Sequence, residues 1–200
     1  MSISELRLCA VGDELVAGVG DPRALGWLGR VVARTRTQST TVVMPLAVPS
    51  ETTTGLSARW ENEFNLRTAP NSHTDHRLII GLGHSDISAD LSVARSRLNL
   101  ANILDVADER RIPTLVVGPP PTIPSLAPAI GELSAAFADV AQRRRVPYVD
   151  TFSPLVDHEQ WNADLAASNG PYPGQAGYGL MAWLVLHTGW HTWLGLPEDE

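Results

Sequence analysis

The sequence has 200 residues, of which 44% are hydrophobic and 18% charged, a balance typical of one globular domain spanning residues 1–200. Its formal net charge is −7, and the arginines are scattered rather than gathered in a basic tract, which argues against a nucleic-acid partner. The N-terminus lacks a signal-peptide pattern, and the one long apolar stretch is interrupted by His187, Gly189 and His191. No membrane segment is therefore predicted, and a cytoplasmic location is expected.

Five short apolar runs rich in β-branched residues alternate with helix-like stretches along the chain. The runs at 6–11, 40–48, 77–83, 114–119 and 146–150 predict buried strands. Helices are predicted at 24–36, 52–67, 90–111, 126–145 and 175–194. Strands that are apolar on both faces indicate a parallel sheet covered by helices on both sides. The sequence thus predicts an α/β fold, a three-layer α/β/α domain with a five-stranded parallel sheet that binds ligands at the carboxyl ends of its strands.

Three loops that follow predicted strands or precede the last helix contain the candidate functional residues. They read "GDELVAGVGDP" at 12–22, "GLGHSD" at 81–86 and "SNGPYPGQAGYGLMA" at 168–182. A fourth segment, "GPPPTIPSLAP" at 118–128, is the richest in proline and is interpreted as a stiff surface loop.

These loops resemble conserved blocks of the SGNH (GDSL) hydrolase family, which consists of esterases and acylhydrolases. The matching blocks are "VGDELVAGVGDPRALGWLGRV", "VVGPPP", "VPYVDTFSPL" and "YPGQAGYGLMA", in the family's order and spacing. The resemblance covers nearly the whole chain. It implies the flavodoxin-like fold of that family, and an ester hydrolase as the ancestral activity.

The family's functional positions carry different residues in this sequence. Glu14 stands where the family has its nucleophilic serine, and Ser50 where it has an oxyanion-hole glycine. Ser85 stands at the family's oxyanion asparagine, Asn169 at its aspartate and Tyr172 at its histidine. A serine hydrolase needs a hydroxyl or thiol nucleophile, a base that titrates near neutral pH and donors for the oxyanion. The resemblance therefore predicts the family fold without the family mechanism.

Two functional interpretations follow from these replacements. The first is a non-catalytic homologue that uses the former cleft, through Glu14, Ser50, Ser85 and Tyr172, to bind a small ester, acyl or sugar-like ligand, or that serves as a scaffold for a partner protein. The second is an active hydrolase with rebuilt machinery around Glu14, Ser50 and Ser85. Neither interpretation requires a cofactor, and the sequence predicts no oligomeric state.

Glu14 itself has three interpretations. It is a carboxylate at a helix N-terminus, a recognition group for a cationic or hydroxylated ligand, or a glycosidase-like carboxylate with Glu51 as its partner. In the family Asp13 and Asp86 brace the loops, so they are expected to be structural. In each case Glu14 is expected to lie within hydrogen-bonding distance of backbone N–H groups or hydroxyls, near Ser85 and Tyr172.

The remaining candidates are aromatic residues and histidines. Tyr172 and Asn169 are expected to close the cleft by packing and hydrogen bonding, and His84 is interpreted as a water-exposed loop residue. His187 and His191 have a spacing of four residues that a metal can bridge, but no third ligand accompanies them, so no metal site is predicted. The tryptophans of the last predicted helix are expected to serve mainly in packing, with part of them available as a partner surface: Trp183, Trp190 and Trp193.

Overall fold

The computed structural model describes residues 4–68, 73–168 and 170–197. Its five strands form one sheet in which each neighbouring pair is parallel, in the order β2-β1-β3-β4-β5. The strands are β1 (Glu5–Gly12), β2 (Thr40–Ala47), β3 (Thr74–Gly81), β4 (Thr114–Val117) and β5 (Tyr148–Val149). The predicted α/β class and the five-stranded parallel sheet are confirmed, with each strand near its predicted position.

Helices cover both faces of this sheet. They are α1 (Glu14–Ala17), α2 (Gly26–Arg34), α3 (Thr53–Asn65), α4 (Ser85–Ser88), α5 (Val93–Glu109), α6 (Ala127–Arg143), α7 (Glu159–Ala167), α8 (Gln175–Val185) and α9 (His191–Leu194). Side chains of α2, α7 and α8 form the core on one face, and those of α3, α5 and α6 form the core on the other. This arrangement is the predicted three-layer architecture.

The central strand β1 shows why both faces must be covered. Leu8 and Ala10 belong to one core, while Cys9 and Val11 belong to the other, as the alternation of side chains along a strand requires. Cys9 is fully buried, and burial raises the pKa of its thiol to about 11. This thiol is therefore a packing group that remains protonated at neutral pH.

The last predicted helix is interrupted. Helix α8 ends at Val185 and is followed by a wide helical turn, Leu186–Trp190, before α9 begins. Within that turn Thr188 has φ −119° and ψ 61°, and Gly189 has φ 79°, a left-handed conformation that glycine adopts without a steric penalty. The prediction of one continuous helix over 175–194 was wrong because the chain changes direction at this glycine.

Two further segments differ from the sequence-based expectation. Helix α7 was not predicted, although it contributes the fully buried Trp161 to the core. The proline-rich loop after β4 is not wholly superficial: residues 118–122 are buried, and Pro124–Leu126 form a 3-10 turn before α6.

Among the described residues, no helix is both long enough and apolar enough to cross a membrane.

Candidate functional site

The site begins at the carboxyl end of β1, where Asp13 joins two loops. Its carboxylate accepts hydrogen bonds from the backbone N–H groups of Leu15 (3.0 Å) and Gly83 (2.6 Å). The first bond caps α1, and the second ties this loop to the one that follows β3. Asp13 is thus the structural brace that the family resemblance predicts.

Glu14 is held by two other loops. Its Oε2 accepts a hydrogen bond from the backbone N–H of Ser50 at 2.7 Å, and its Oε1 accepts one from the hydroxyl of Tyr172 at 3.1 Å. The residue is only 6% exposed. Glu14 is the first residue of α1, but the N-cap of that helix is Asp13. The Glu14 carboxylate instead accepts hydrogen bonds from residues outside its own helix. The expected proximity to Tyr172 is confirmed, whereas the hydrogen bonds of the described residues do not connect Glu14 with Ser85.

Ser50 presents its backbone rather than its side chain to Glu14. Its φ of 57° lies in the left-handed region, which few residues other than glycine adopt readily. This conformation is consistent with the prediction that Ser50 stands where the family has a glycine. The 2.7 Å bond to a carboxylate is short and charge-assisted.

Tyr172 reaches Glu14 from the segment before α8. Tyr172 and Pro173 pack closely on Gly20. A Cβ atom added to Gly20 would lie 2.8 Å from the Tyr172 Cβ and 2.7 Å from the Pro173 carbonyl oxygen. Burial, followed by the negative charge of Glu14 and the hydrogen bond to it, raises the pKa of the Tyr172 phenol. The Tyr172 phenol therefore keeps its proton at neutral pH and donates a hydrogen bond to Glu14. The expected hydrogen bonding of Tyr172 is observed, whereas Asn169 lies outside the described residues.

The charge of Glu14 affects the neighbouring Asp13. Burial, reinforced by the charge of Glu14 and opposed by the two backbone hydrogen bonds, raises the pKa of Asp13 from 3.8 to about 7. Burial and the charge of Glu14 therefore make it unfavourable for Asp13 to ionise at this edge of the sheet.

Ser85 and Asp86 begin α4 and are both buried. Asp86 accepts hydrogen bonds from the backbone N–H of Thr53 at 2.7 Å and from its hydroxyl at 2.8 Å. The amide of Asn99 donates to the same hydroxyl at 3.0 Å. Asp86 is thus a structural brace between the loops after β2 and β3, as the family resemblance predicts.

Glu51, the proposed partner for a glycosidase-like mechanism, is committed elsewhere. It forms an ion pair with Arg59, whose guanidinium also donates to the carbonyl oxygen of Leu46 at 2.8 Å. Because its charge is already neutralised by this pair, Glu51 acts as part of the scaffold around β2.

His84 differs from the sequence-based interpretation as an exposed loop residue. It is half-buried, and its Nδ1 lies 3.1 Å from the hydroxyl of Thr122 in the loop after β4. Burial lowers the pKa of His84, although the nearby negative charge of Glu14 acts in the opposite direction. The imidazole is therefore neutral at pH 7. Thr122 was not predicted as a site residue, because its only signal in the sequence is its position in a loop that follows a predicted parallel strand.

Next to this pair lies a groove of about 740 Å³. It is formed by the loop after β4, by α7 with the turn before it, and by the segment that precedes Tyr172. The described residues that line it are mostly apolar: Pro121, Thr122, Ile123, Pro124, Ala127, Val156, Asp157, Asn162, Leu165, Ala166, Gly170 and Pro171.

The two C-terminal histidines lie on either side of the interruption of the last predicted helix. His187 is exposed and stacks on Trp183 with 4.2 Å between ring centroids, and the interruption of the helix at Gly189 separates it from His191. The part of the chain that the structure describes contains no group of three or more metal-binding side chains. Trp190 and Trp193 pack in the core as expected, whereas Trp183 is 53% exposed.

Solved structures with this fold include three esterase-type proteins. The lipase/acylhydrolase from Enterococcus faecalis is 22% identical with a TM-score of 0.73, over 97% of this chain and 98% of that one. The acetylxylan esterase Axe2 from Geobacillus stearothermophilus is 14% identical with a TM-score of 0.71, over 100% and 99%. The psychrotrophic esterase EstA from Pseudoalteromonas sp. is 16% identical with a TM-score of 0.70, over 94% and 98%.

No curated protein matched the sequence. The family model of the GDSL-like lipase/acylhydrolase family, however, matches residues 10–180, which span every loop described above. The chain therefore belongs to the GDSL-like lipase/acylhydrolase family.

Proposed function

We propose that this protein is a non-catalytic member of its family that binds a small ester, acyl or sugar-like ligand in the former active-site cleft. The observation that carries the proposal is the arrangement of Glu14, whose carboxylate accepts the backbone N–H of Ser50 and the hydroxyl of Tyr172. In the family a serine hydroxyl is expected at this point of the chain.

The position of the carboxylate disfavours oxyanion chemistry. An ester hydrolase must leave its backbone donors open for the negative oxygen of the tetrahedral intermediate. Here the N–H of Ser50 already serves a negative oxygen of Glu14. A second negative oxygen about 4 Å away would be opposed by about 4 kcal/mol at an effective dielectric constant near 20. Tyr172 adds no base, because its raised pKa keeps the phenol protonated.

The groove favours ligand binding over a purely structural scaffold. Its volume of about 740 Å³ falls within the range of about 300–1,000 Å³ that is typical of small-molecule sites, and its mostly apolar wall with a few polar groups is typical as well. In this proposal Glu14 and Tyr172 close one side of the cleft, and the ligand occupies the neighbouring space.

An ester-hydrolysis assay tests the proposal. Wild-type protein is expected to hydrolyse p-nitrophenyl acetate and p-nitrophenyl butyrate no faster than buffer without protein, because no hydroxyl at position 14 is available for activation.

Two results would contradict this expectation in different ways. Turnover in the wild type that disappears in Glu14→Gln would make Glu14 a working catalytic group. Turnover that survives Glu14→Gln but disappears in Ser50→Ala or Ser85→Ala would support the alternative of rebuilt hydrolytic machinery.

A further inference from the structure

The outer side of α8 is apolar and open to solvent. Trp183 in this helix is 53% exposed, and His187, four residues later, is exposed as well and stacks on the Trp183 ring. Residues 173–197 contain no Asp, Glu, Lys or Arg, so this segment brings no carboxylate, ammonium or guanidinium group to the surface. A large exposed aromatic side chain in such surroundings is typical of a protein–protein contact site.

The α2 side of this surface is basic. Helix α2 packs along α8, and the indole N–H of Trp190 donates to the Thr35 hydroxyl at 2.8 Å, so the end of α2 lies beside the residues that follow α8. Residues 22–50 contain no Asp or Glu, whereas Arg34 and Arg36, at the end of α2, are exposed. Neither arginine forms an ion pair with the residues that the structure describes.

The opposite side of α8, where α7 packs, is acidic. Residues 146–197 contain no Lys or Arg. Asp157, just before α7, and Glu159, its first residue, are exposed, and within the described ranges neither carboxylate takes part in an ion pair. The apolar side of α8 is therefore bordered by positive charge on one side and by negative charge on the other.

The charged ends of α2 and α7 lie near the same end of α8. In α7, the carboxylate of Asp164 accepts the backbone N–H of Gly174 at 2.6 Å, whereas the preceding turn of α7 places Trp161 against Gly177, further along α8. Because the earlier residue of α7 meets the later residue of α8, these two helices run antiparallel. Glu159 therefore lies towards the later turns of α8, the end at which Arg34 lies on the opposite side.

We propose that a second copy of this chain binds to the α8 face, which consists of the outer side of α8 and the charged ends of α2 and α7, about a two-fold axis parallel to α8. The axis places Trp183 against Trp183 of the partner subunit. It also turns the basic side of each copy towards the acidic side of the other, so Arg34 of each copy faces Glu159 of the partner subunit. The net charge of −7 on each copy opposes association through surfaces that lack such pairing. The inference does not depend on what occupies the former cleft and is therefore independent of the proposed function.

Sedimentation velocity at increasing protein concentration tests the α8 face. The wild type is expected to form a dimer, and Trp183→Ser is expected to raise the dimer dissociation constant at least about tenfold. Leu98→Ser is the matched control, because Leu98 is 50% exposed in α5, on the other face of the sheet, and it should leave the dimer unchanged. A dimer that persists unchanged in Trp183→Ser would overturn the inference, as would a wild type that stays monomeric at every concentration. Cosedimentation of such a monomer with phosphatidylcholine vesicles would assign the face to a lipid surface instead.

Charge reversal tests the axis. Arg34→Glu and Glu159→Arg are each expected to raise the dimer dissociation constant at least about tenfold, because each variant then places like charges opposite one another twice. An equimolar mixture of the two variants is expected to regain the wild-type dimer, since every pair in the mixed dimer is again of opposite charge. Arg95→Glu, at an exposed arginine of α5, is the control and should not weaken the dimer. Variants that dimerise like the wild type, or a mixture of folded variants that stays monomeric, would overturn the proposed axis and with it the inference.

Discussion

At the scale of single residues, Glu14 is defined by its contacts with distant parts of the chain. Its position after Gly12 and Asp13 is visible in the sequence, and so was its expected proximity to Tyr172. The partner N–H of Ser50 was not predicted, because it depends on a left-handed backbone at φ 57° and on a contact between loops 36 residues apart. The pairing of His84 with Thr122 was missed because it also depends on a contact between two loops, 38 residues apart in the chain.

The charge of Glu14 should be visible in the pH dependence of stability. The folded pKa of Asp13, about 7, exceeds its reference value of 3.8, so Asp13 contributes stability below pH 4 that is lost as the pH rises through 7. The pKa of His84 is lowered, so His84 contributes stability above pH 6.5 that is lost as the pH falls. The charge of Glu14 makes this shift in the pKa of His84 smaller. The Glu14→Gln substitution removes this charge. It therefore reduces the stability that Asp13 loses as the pH rises, and it increases the stability that His84 gains over the same pH range.

We accordingly expect the free energy of unfolding of Glu14→Gln, relative to wild type, to increase steadily from pH 4 to pH 7. Urea unfolding across this range measures it, with the exposed Glu109→Gln variant as the charge-matched control. A difference between Glu14→Gln and wild type that is constant with pH, or that falls as the pH rises, would show that Glu14 does not influence these groups.

Gly12 provides a second prediction at this scale. It has φ 148°, and a Cβ atom added there would lie 1.7 Å from the backbone carbonyl oxygen of Gly81. Gly12→Ala is expected to destabilise the protein by at least about 3 kcal/mol, because neither strand can move without disrupting the sheet. Gly179→Ala is the matched control, since an added Cβ there meets nothing within 4 Å. In the helix interior it is expected to stabilise by about 0.5–1 kcal/mol, and similar unfolding midpoints for the two variants would contradict this.

At the scale of elements, the beginning of α8 depends on a side chain from α7. The N-cap residue Gly174 makes no side-chain cap, but the carboxylate of Asp164 accepts the backbone N–H groups of Gly174 at 2.6 Å and Gly177 at 3.0 Å. This contact performs the task of an N-cap from a neighbouring helix. It also fixes the segment that carries Tyr172 towards Glu14.

Asp164→Ala is therefore expected to lower the free energy of unfolding by about 1–2 kcal/mol. Hydrogen exchange should also become faster at the first turn of α8 and around Tyr172. Asp108→Ala, an exposed aspartate in α5, serves as the control and should change neither quantity noticeably. If exchange in α8 is unaffected by Asp164→Ala, the cap does not anchor the segment.

The elements also show what periodicity can and cannot predict. The five strands were found because each is a compact apolar run, and this signal persists in a sheet that is buried on both faces. Helix α7 has weak amphipathic patterning, with Trp161 and Leu165 as its buried residues, so it was missed. The break after Val185 did have a local signal, namely Gly189 within the predicted helix, but the apolar residues on either side of it concealed the change of direction.

At the scale of the whole molecule, the chain has the five-stranded parallel sheet and belongs to the GDSL-like lipase/acylhydrolase family, and the proposed function holds that the residues of the family's mechanism have been replaced. Sequence blocks in the family's order were sufficient to predict the sheet, and the family match over residues 10–180 agrees with them. The site was less predictable, because hydrogen bonds between Glu14, Ser50 and Tyr172 depend on how three loops meet. Whether the backbone still supports the family chemistry can be tested by restoring the side chains.

The triple variant Glu14→Ser, Asn169→Asp and Tyr172→His is expected to gain measurable hydrolysis of p-nitrophenyl acetate, whereas Glu14→Ser alone is not. The reason is that nucleophile, base and orienting carboxylate act as one unit, so a serine without its base gains almost nothing. Serine and histidine are shorter than the residues they replace, so the loops that join Glu14 to Tyr172 must approach one another, and the triple variant should be slow.

Adding Ser85→Asn should raise the rate further, by up to about two to three powers of ten for the side-chain oxyanion donor that it restores. Ser50→Gly, which completes the five-site variant, keeps the same backbone N–H donor and removes only the side chain. The glycine also suits the left-handed backbone at position 50, where φ is 57°. The steady-state rate of each variant, corrected for the Glu109→Gln background, measures the effect, and cooperative thermal unfolding confirms that each variant is folded. A folded five-site variant without turnover on any short ester would mean that the backbone, and not only these five side chains, has departed from the geometry that the family's chemistry requires.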